Sequence, residues 1–96
     1  MIIGRFRVQA RPERSDEIAA AMLAVEAPSR LLPGVVSFDI VRSVSDPHSY
    51  LAIEVFADRA AFDAQNAQTE VAELLELIAG GAAVGDYEWR SWEVDD

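Results

Sequence analysis

The sequence predicts a single α+β domain of element order β-α-β-β-α-β, on three observations. Alternation of apolar and polar residues marks four strands. Two longer stretches carry apolar residues at helical spacing. Pro33-Gly34 and Gly80-Gly81 stand at joints between these stretches. A right-handed crossover in each half, with a hairpin between them, folds that order into one antiparallel sheet with both helices on one face. The expected strand order is 4-1-3-2, the ferredoxin-like arrangement.

Ile2 to Val8 is the first strand, with Ile2, Gly4, Phe6 and Val8 on one face and Ile3, Arg5 and Arg7 on the other. Arg11-Pro12 ends it, since proline donates nothing to a ladder but suits a helix's first turn. The first helix is expected over Glu13 to Ser29. Ser15, Asp16 and Glu17 supply a cap candidate and acids at the positive end of the dipole. Ile18, Met22 and Val25, with Ala21 beside them, form its buried stripe. Pro28 and Pro33-Gly34 stop it.

Val35 to Val44 is the second strand, with Val36, Phe38 and Ile40 sharing a face. Ser45-Asp46-Pro47-His48 is a hairpin loop of ordinary turn chemistry. Tyr50 to Phe56 is the third strand: Leu51, Ile53 and Val55 face one way, and Tyr50, Ala52, Glu54 and Phe56 the other. Asp58 caps the second helix, which is expected to break near Ala67 to Thr69 and resume to Ala79 through Val71, Leu74, Leu75 and Ile78. Phe62 sits at the junction and is expected to be buried, so that its truncation would be costly. Val84 to Val94, carrying Tyr87, Trp89 and Trp92, is the fourth strand.

At 96 residues there is room for one domain, spanning 1–96, with a core small enough that association is a common way to cover more surface. The formal charge of −9, with eight arginines and no lysine, repels nucleic acid and anionic membrane. No apolar run approaches a membrane span, and MIIGRFRV reads as a strand rather than a leader, so a cytoplasmic location is the expectation. The lysine-free, alanine-rich composition points to a GC-rich bacterial genome. Without cysteine there is no disulfide, thiolate site or cysteine nucleophile. Helices cover one sheet face only. The other keeps apolar residues such as Ile3, Val35 and Val41, and a patch of that kind implies a partner, here a second copy packed sheet against sheet.

Pro33-Gly34-Val35, Phe38, Asp46-Pro47, Glu54-Val55-Phe56 and Ala60-Ala61-Phe62, in that order and spacing, resemble the antibiotic biosynthesis monooxygenase (ABM) domain, including its quinol-monooxygenase-like members. The resemblance runs over nearly the whole chain. The family pattern is PG near strand two, DP in the hairpin, ExW closing strand three and a short helix with H-x4-H. It implies a dimeric α+β barrel that oxidises aromatic or quinol-like molecules, without metal or flavin, in a cavity between sheet and helices. The sequence departs from the pattern at three points: Phe56 stands for the tryptophan, and Gln65 and Glu70 for the histidines. Related haem-degrading members ligate iron through histidine, which Gln65-Asn66 cannot do. No cofactor is expected: His48 is the sole histidine, and Gly80-Gly81 lacks the context of a phosphate-binding loop.

The candidate chemistry rests on few residues. Glu54 is a base if it is desolvated and unpaired, or an ordinary ion-pair partner if Arg5 or Arg7 reaches it. Asn66, as the second catalytic candidate, and Gln65 and Glu70 either orient a substrate oxygen or form a solvated helix face with a cap at the break. Phe6, Phe56 and Phe62, closed by Trp89 or Trp92, form the wall of a substrate pocket. The tryptophans, with Tyr87, serve equally as core or interface residues. No metal-ligand spacing is present. Two function classes remain: a cofactor-independent monooxygenase acting on a phenol or quinol-like molecule, and a non-catalytic dimeric module of the same fold that binds a ligand or serves a structural role.

Overall fold

The computed structural model describes residues 1–95. Strand β1 (Ile2–Gln9) leads through a 3₁₀ turn at Pro12–Arg14 into α1 (Ser15–Arg30). Strands β2 (Val35–Arg42) and β3 (Ser49–Phe56) form the hairpin, followed by α2 (Arg59–Asn66), α3 (Thr69–Leu77) and β4 (Glu88–Glu93). The sheet order is β2-β3-β1-β4 with every pairing antiparallel, the ferredoxin-like α+β topology expected from the element order.

Helix α1 begins two residues later than the spacing predicts, because Pro12 locks the preceding turn as 3₁₀. Ser15 is not a cap; its Oγ lies 2.7 Å from the Tyr50 hydroxyl in the interior. Pro28 does not end the helix, which carries it in the last turn and continues to Arg30. Ile18, Met22 and Val25 are buried as their spacing requires. They pack on Phe6, Val8 and Phe38 from the sheet and on Leu74 and Ile78 from the second half. The interruption of the second helix falls where expected. Asp58 accepts from Ala61 N–H at 2.9 Å to start α2, and Gln68, in extended conformation, precedes α3.

The face assignment of β2 needs correction. A bulge between Val35 and Ser37 inserts one residue, so Val35 turns to the core and Val36 is thrown outward, 59% exposed. Beyond it the alternation resumes with Phe38 inward. Both β2 and β4 are shorter than their apolar runs suggest. At the start of the last run, Ala83 makes only an isolated bridge to Ala10, and Gly85 takes a left-handed φ of 72° before the ladder with β1 begins.

On β3, Tyr50, Ala52, Glu54 and Phe56 face the helices and are buried, while Leu51, Ile53 and Val55 face the open side. The outer edge of β2 is covered by α1. Glu26 Oε2 accepts from Ile40 N–H at 2.7 Å, and Arg30 Nε donates to the Phe38 carbonyl at 2.8 Å. Phe62 is only half-buried, against the expectation that it is buried, whereas Phe56 behind it is wholly enclosed with Ile2 and Ala61.

Candidate active site

A cavity of about 210 Å³ opens between the sheet and helices α2 and α3. Period two on β3 brings Glu54 to it: flanked by Ala52 and Phe56 on the covered face, the side chain has nowhere else to go. Its cross-strand neighbours are Gly4 on β1 and Phe38 on β2, neither of which offers a hydrogen bond from its side chain. Arg5 and Arg7 stand opposite Ile53 and Leu51, on the other face of the sheet, so neither forms the ion pair weighed from sequence. Arg7 Nε instead donates to Ser49 Oγ at 3.3 Å. No hydrogen bond or ion pair reaches Glu54 among the described residues, and it is 4% exposed. Burial pushes its carboxyl up to about 8, because the charged form has lost water and gained no partner.

The wall is aromatic. Phe6 stacks on Tyr87 at 5.0 Å, and Phe62 meets Trp89 at 5.7 Å. On its other side Phe62 packs edge-on against Phe56, and the Arg59 guanidinium lies 5.0 Å over its ring while pairing with Glu93. From α2, Gln65 reaches the cavity while 4% exposed. Its Nε2 donates to Ser29 Oγ at 3.3 Å, and Ser29 in turn donates to Gln68 Oε1 at 3.0 Å, a chain that fixes the α2–α3 break against α1. Asn66 also borders the cavity, but it is exposed and its Nδ2 donates back to the Phe62 carbonyl at 3.0 Å.

Six sequence candidates thus meet at one place: Glu54, Phe6, Phe62, Gln65, Asn66 and Trp89. Three do not. Phe56 lies behind Phe62, fully enclosed and off the cavity wall. Glu70 sits in the first turn of α3, half-buried and away from the wall, because the helix restarts at Thr69 and breaks phase with Gln65. Trp92 pairs with Ile3 on the open face; three residues from Trp89 in a strand, it must point the opposite way. Sequence reasoning missed the share of Met22, Val25, Phe38 and Leu74 in the wall, since core spacing and pocket spacing look alike on a helix or strand. His48 stays in the hairpin, off the wall. Among the described residues no group of three or more His, Cys, Asp or Glu is placed to hold a metal ion.

The sequence profile of the antibiotic biosynthesis monooxygenase family matches residues 1–77. The chain belongs to this family. Solved ABM-type structures superpose over nearly the full length of both chains. A candidate antibiotic biosynthesis monooxygenase from Deinococcus radiodurans gives a TM-score of 0.89 at 16% identity, over 100% of this chain and 94% of its own. A similar candidate from Nitrosomonas europaea gives 0.88 at 16% identity, over 98% of each chain. Another antibiotic biosynthesis monooxygenase gives 0.86 at 22% identity, covering both chains entirely. At these identities the likeness is one of fold. No curated protein matches the chain in sequence. Among the described residues, no helix is long and apolar enough to cross a membrane.

Proposed function

We propose that this ABM-family chain is a cofactor-independent monooxygenase of a phenol or quinol-like aromatic molecule, working as a homodimer. The observation that carries the reading is the unpaired carboxyl of Glu54 in an aromatic-walled cavity. In its ionised form Glu54 takes the phenolic proton. The substrate anion passes one electron to O₂, and the two radicals join in a new C–O bond. The peroxide recovers the proton from Glu54, and loss of water leaves a carbonyl. For an anthrone the balance is CH₂ plus O₂ giving C=O plus H₂O. Gln65 and Asn66 orient the substrate oxygen, and the largely apolar wall limits the access of bulk water to the intermediates.

The test is oxygen uptake with simple hydroquinones and anthrones. Uptake well above the uncatalysed background is expected; uptake equal to background overturns the reading. Asn66→Ala measures the orienting contribution. A second reading, a binding module without chemistry, draws on the absence of imidazole at Gln65 and Glu70. Ligand binding with no oxygen uptake decides for it.

The pH dependence follows from the carboxyl. A base with a pKa of about 8 is roughly one-tenth ionised at pH 7 and nearly fully ionised at pH 9, so the background-corrected rate rises about tenfold between them. A flat profile removes Glu54 as the base.

The homodimer rests on the open sheet face, where Ile53, Val36 and Trp92 are 37%, 59% and 47% exposed. Sheet-to-sheet stacking covers them. Sedimentation at micromolar concentration is expected to give a dimer, and a monomer there refutes it.

A further inference from the structure

Gly4 lies in the middle of β1 with ordinary strand geometry, so no backbone requirement explains it. Its environment does. A Cβ built on Gly4 would fall 2.4 Å from Cη2 of Trp89, with two more atoms of the same ring at 3.1 and 3.2 Å. Those are the three nearest heavy atoms outside the flanking residues, and a separation under 3.0 Å forces something to shift. The benzo edge of the indole therefore rests directly on the β1 backbone, in the space a side chain would fill. Gly4 is also the β1 residue paired with Glu54 across the ladder, and directly opposed residues in an antiparallel pair stand side by side on one face. The ring that fills the space over Gly4 is thus the ring beside Glu54, and both side chains border the cavity.

The geometry points to Gly4 as a positioning residue: by leaving its place empty, it lets the benzo edge of Trp89 seat against β1 beside Glu54 and hold water off that carboxyl. The inference rests on the reading of Glu54 as the working group of the cavity. It goes beyond that reading in assigning the exclusion of water to one ring and the seating of that ring to one glycine. The surroundings leave little else to set the charge of Glu54. The cavity wall it shares is made of Phe38 from β2, Met22 and Val25 from α1, Phe62 and the neutral amides of Gln65 and Asn66 from α2, and Val71, Leu74 and Leu75 from α3. The Tyr87 phenol is the one other titratable group on the wall. Arg5 and Arg7 occupy the far side of the sheet, and Arg59 is engaged by Glu93. A carboxyl in that setting owes its protonation chiefly to how dry it is.

The experiment is a carboxyl ¹³C NMR titration of the full chain labelled at glutamate, with the Glu54 signal assigned by its loss in Glu54→Gln. Wild type is expected to titrate near 8. In Gly4→Ala the displaced indole admits water, and the midpoint falls by about one pH unit or more. Trp89→Ala produces a fall of similar size. Gly4→Ala combined with Trp89→Ala falls no further than Trp89→Ala alone, because the methyl then has no ring to displace. Packing loss without this role lowers the melting temperature and leaves the midpoint in place. A folded Gly4→Ala that titrates like wild type overturns the inference, as do single effects that sum in the double variant. Should Gly4→Ala fail to fold, the double variant is expected to fold, and its failure to do so also overturns it. The titration uses no substrate, so its outcome is independent of whether oxygen is consumed.

Discussion

Replacing Glu54 with glutamine is expected to lower oxygen uptake by about 10²-fold or more while making the protein more stable in alkaline buffer. The first effect is the loss of a positioned base. The second comes from linkage. The folded carboxyl has its pKa raised from 4.5 to about 8, so the native state holds a proton that the unfolded chain has released. Stability tied to this group is fully present below pH 4.5, drains away between 4.5 and 8, and is gone above 8, where the native state must keep an unpaired charge under the helices. Glutamine avoids that cost with nearly the same shape. The expected gain at pH 9 is on the order of 5 kcal/mol, and it disappears near pH 4. Urea unfolding at the two pH values measures it. Equal stability of the two proteins at pH 9 would mean that the carboxyl has found water or a partner. Wild-type uptake in the variant would remove Glu54 from the chemistry.

Phe56→Ala is expected to be the most damaging truncation of a phenylalanine, at about 3–5 kcal/mol. Its ring is 0% exposed, enclosed by Ile2 and Ala61 and braced edge-on by Phe62. It is not part of the wall of the active-site cavity, and its close packing leaves the vacated space little room to collapse. Phe62→Ala is expected to cost about half as much, since that ring is half-buried and already lines an open space. Denaturation midpoints of the two variants decide the order. A larger loss in Phe62→Ala would show that the ring beside the cavity carries the junction of β3 and α2.

Most of the fold was legible because each element obeys one period and its joints carry the right residues. Asp58 announces α2, and the stripe Ile18, Met22 and Val25 orients α1 without ambiguity. What escaped were single-residue events. The bulge at Val36 costs one residue of register and exchanges the faces of Val35 and Val36, yet a run of three valines and one isoleucine around Phe38 gives no sign of where it falls. The site was legible in part for the same reason. Glu54 shares a face with Tyr50 and Phe56 by simple counting, but whether an arginine met it depended on which face of β1 turned to the helices. Trp89 and Trp92 are separated by an odd number of positions, and counting alone separates their faces. Reading them as alternatives for one wall overlooked that.

The side chains of Glu26 and Arg30 bear on the life of the chain before it is complete. An edge strand with free N–H and C=O groups is a template on which another chain can add. In the finished molecule two side chains of α1 engage two of those groups on β2, the Ile40 N–H and the Phe38 carbonyl, so the protein's own helix blunts the middle of the edge. In a refolding molecule whose β2–β3 hairpin has formed before α1 docks, the same edge is open. Early docking of α1 then removes one template for aggregation during refolding.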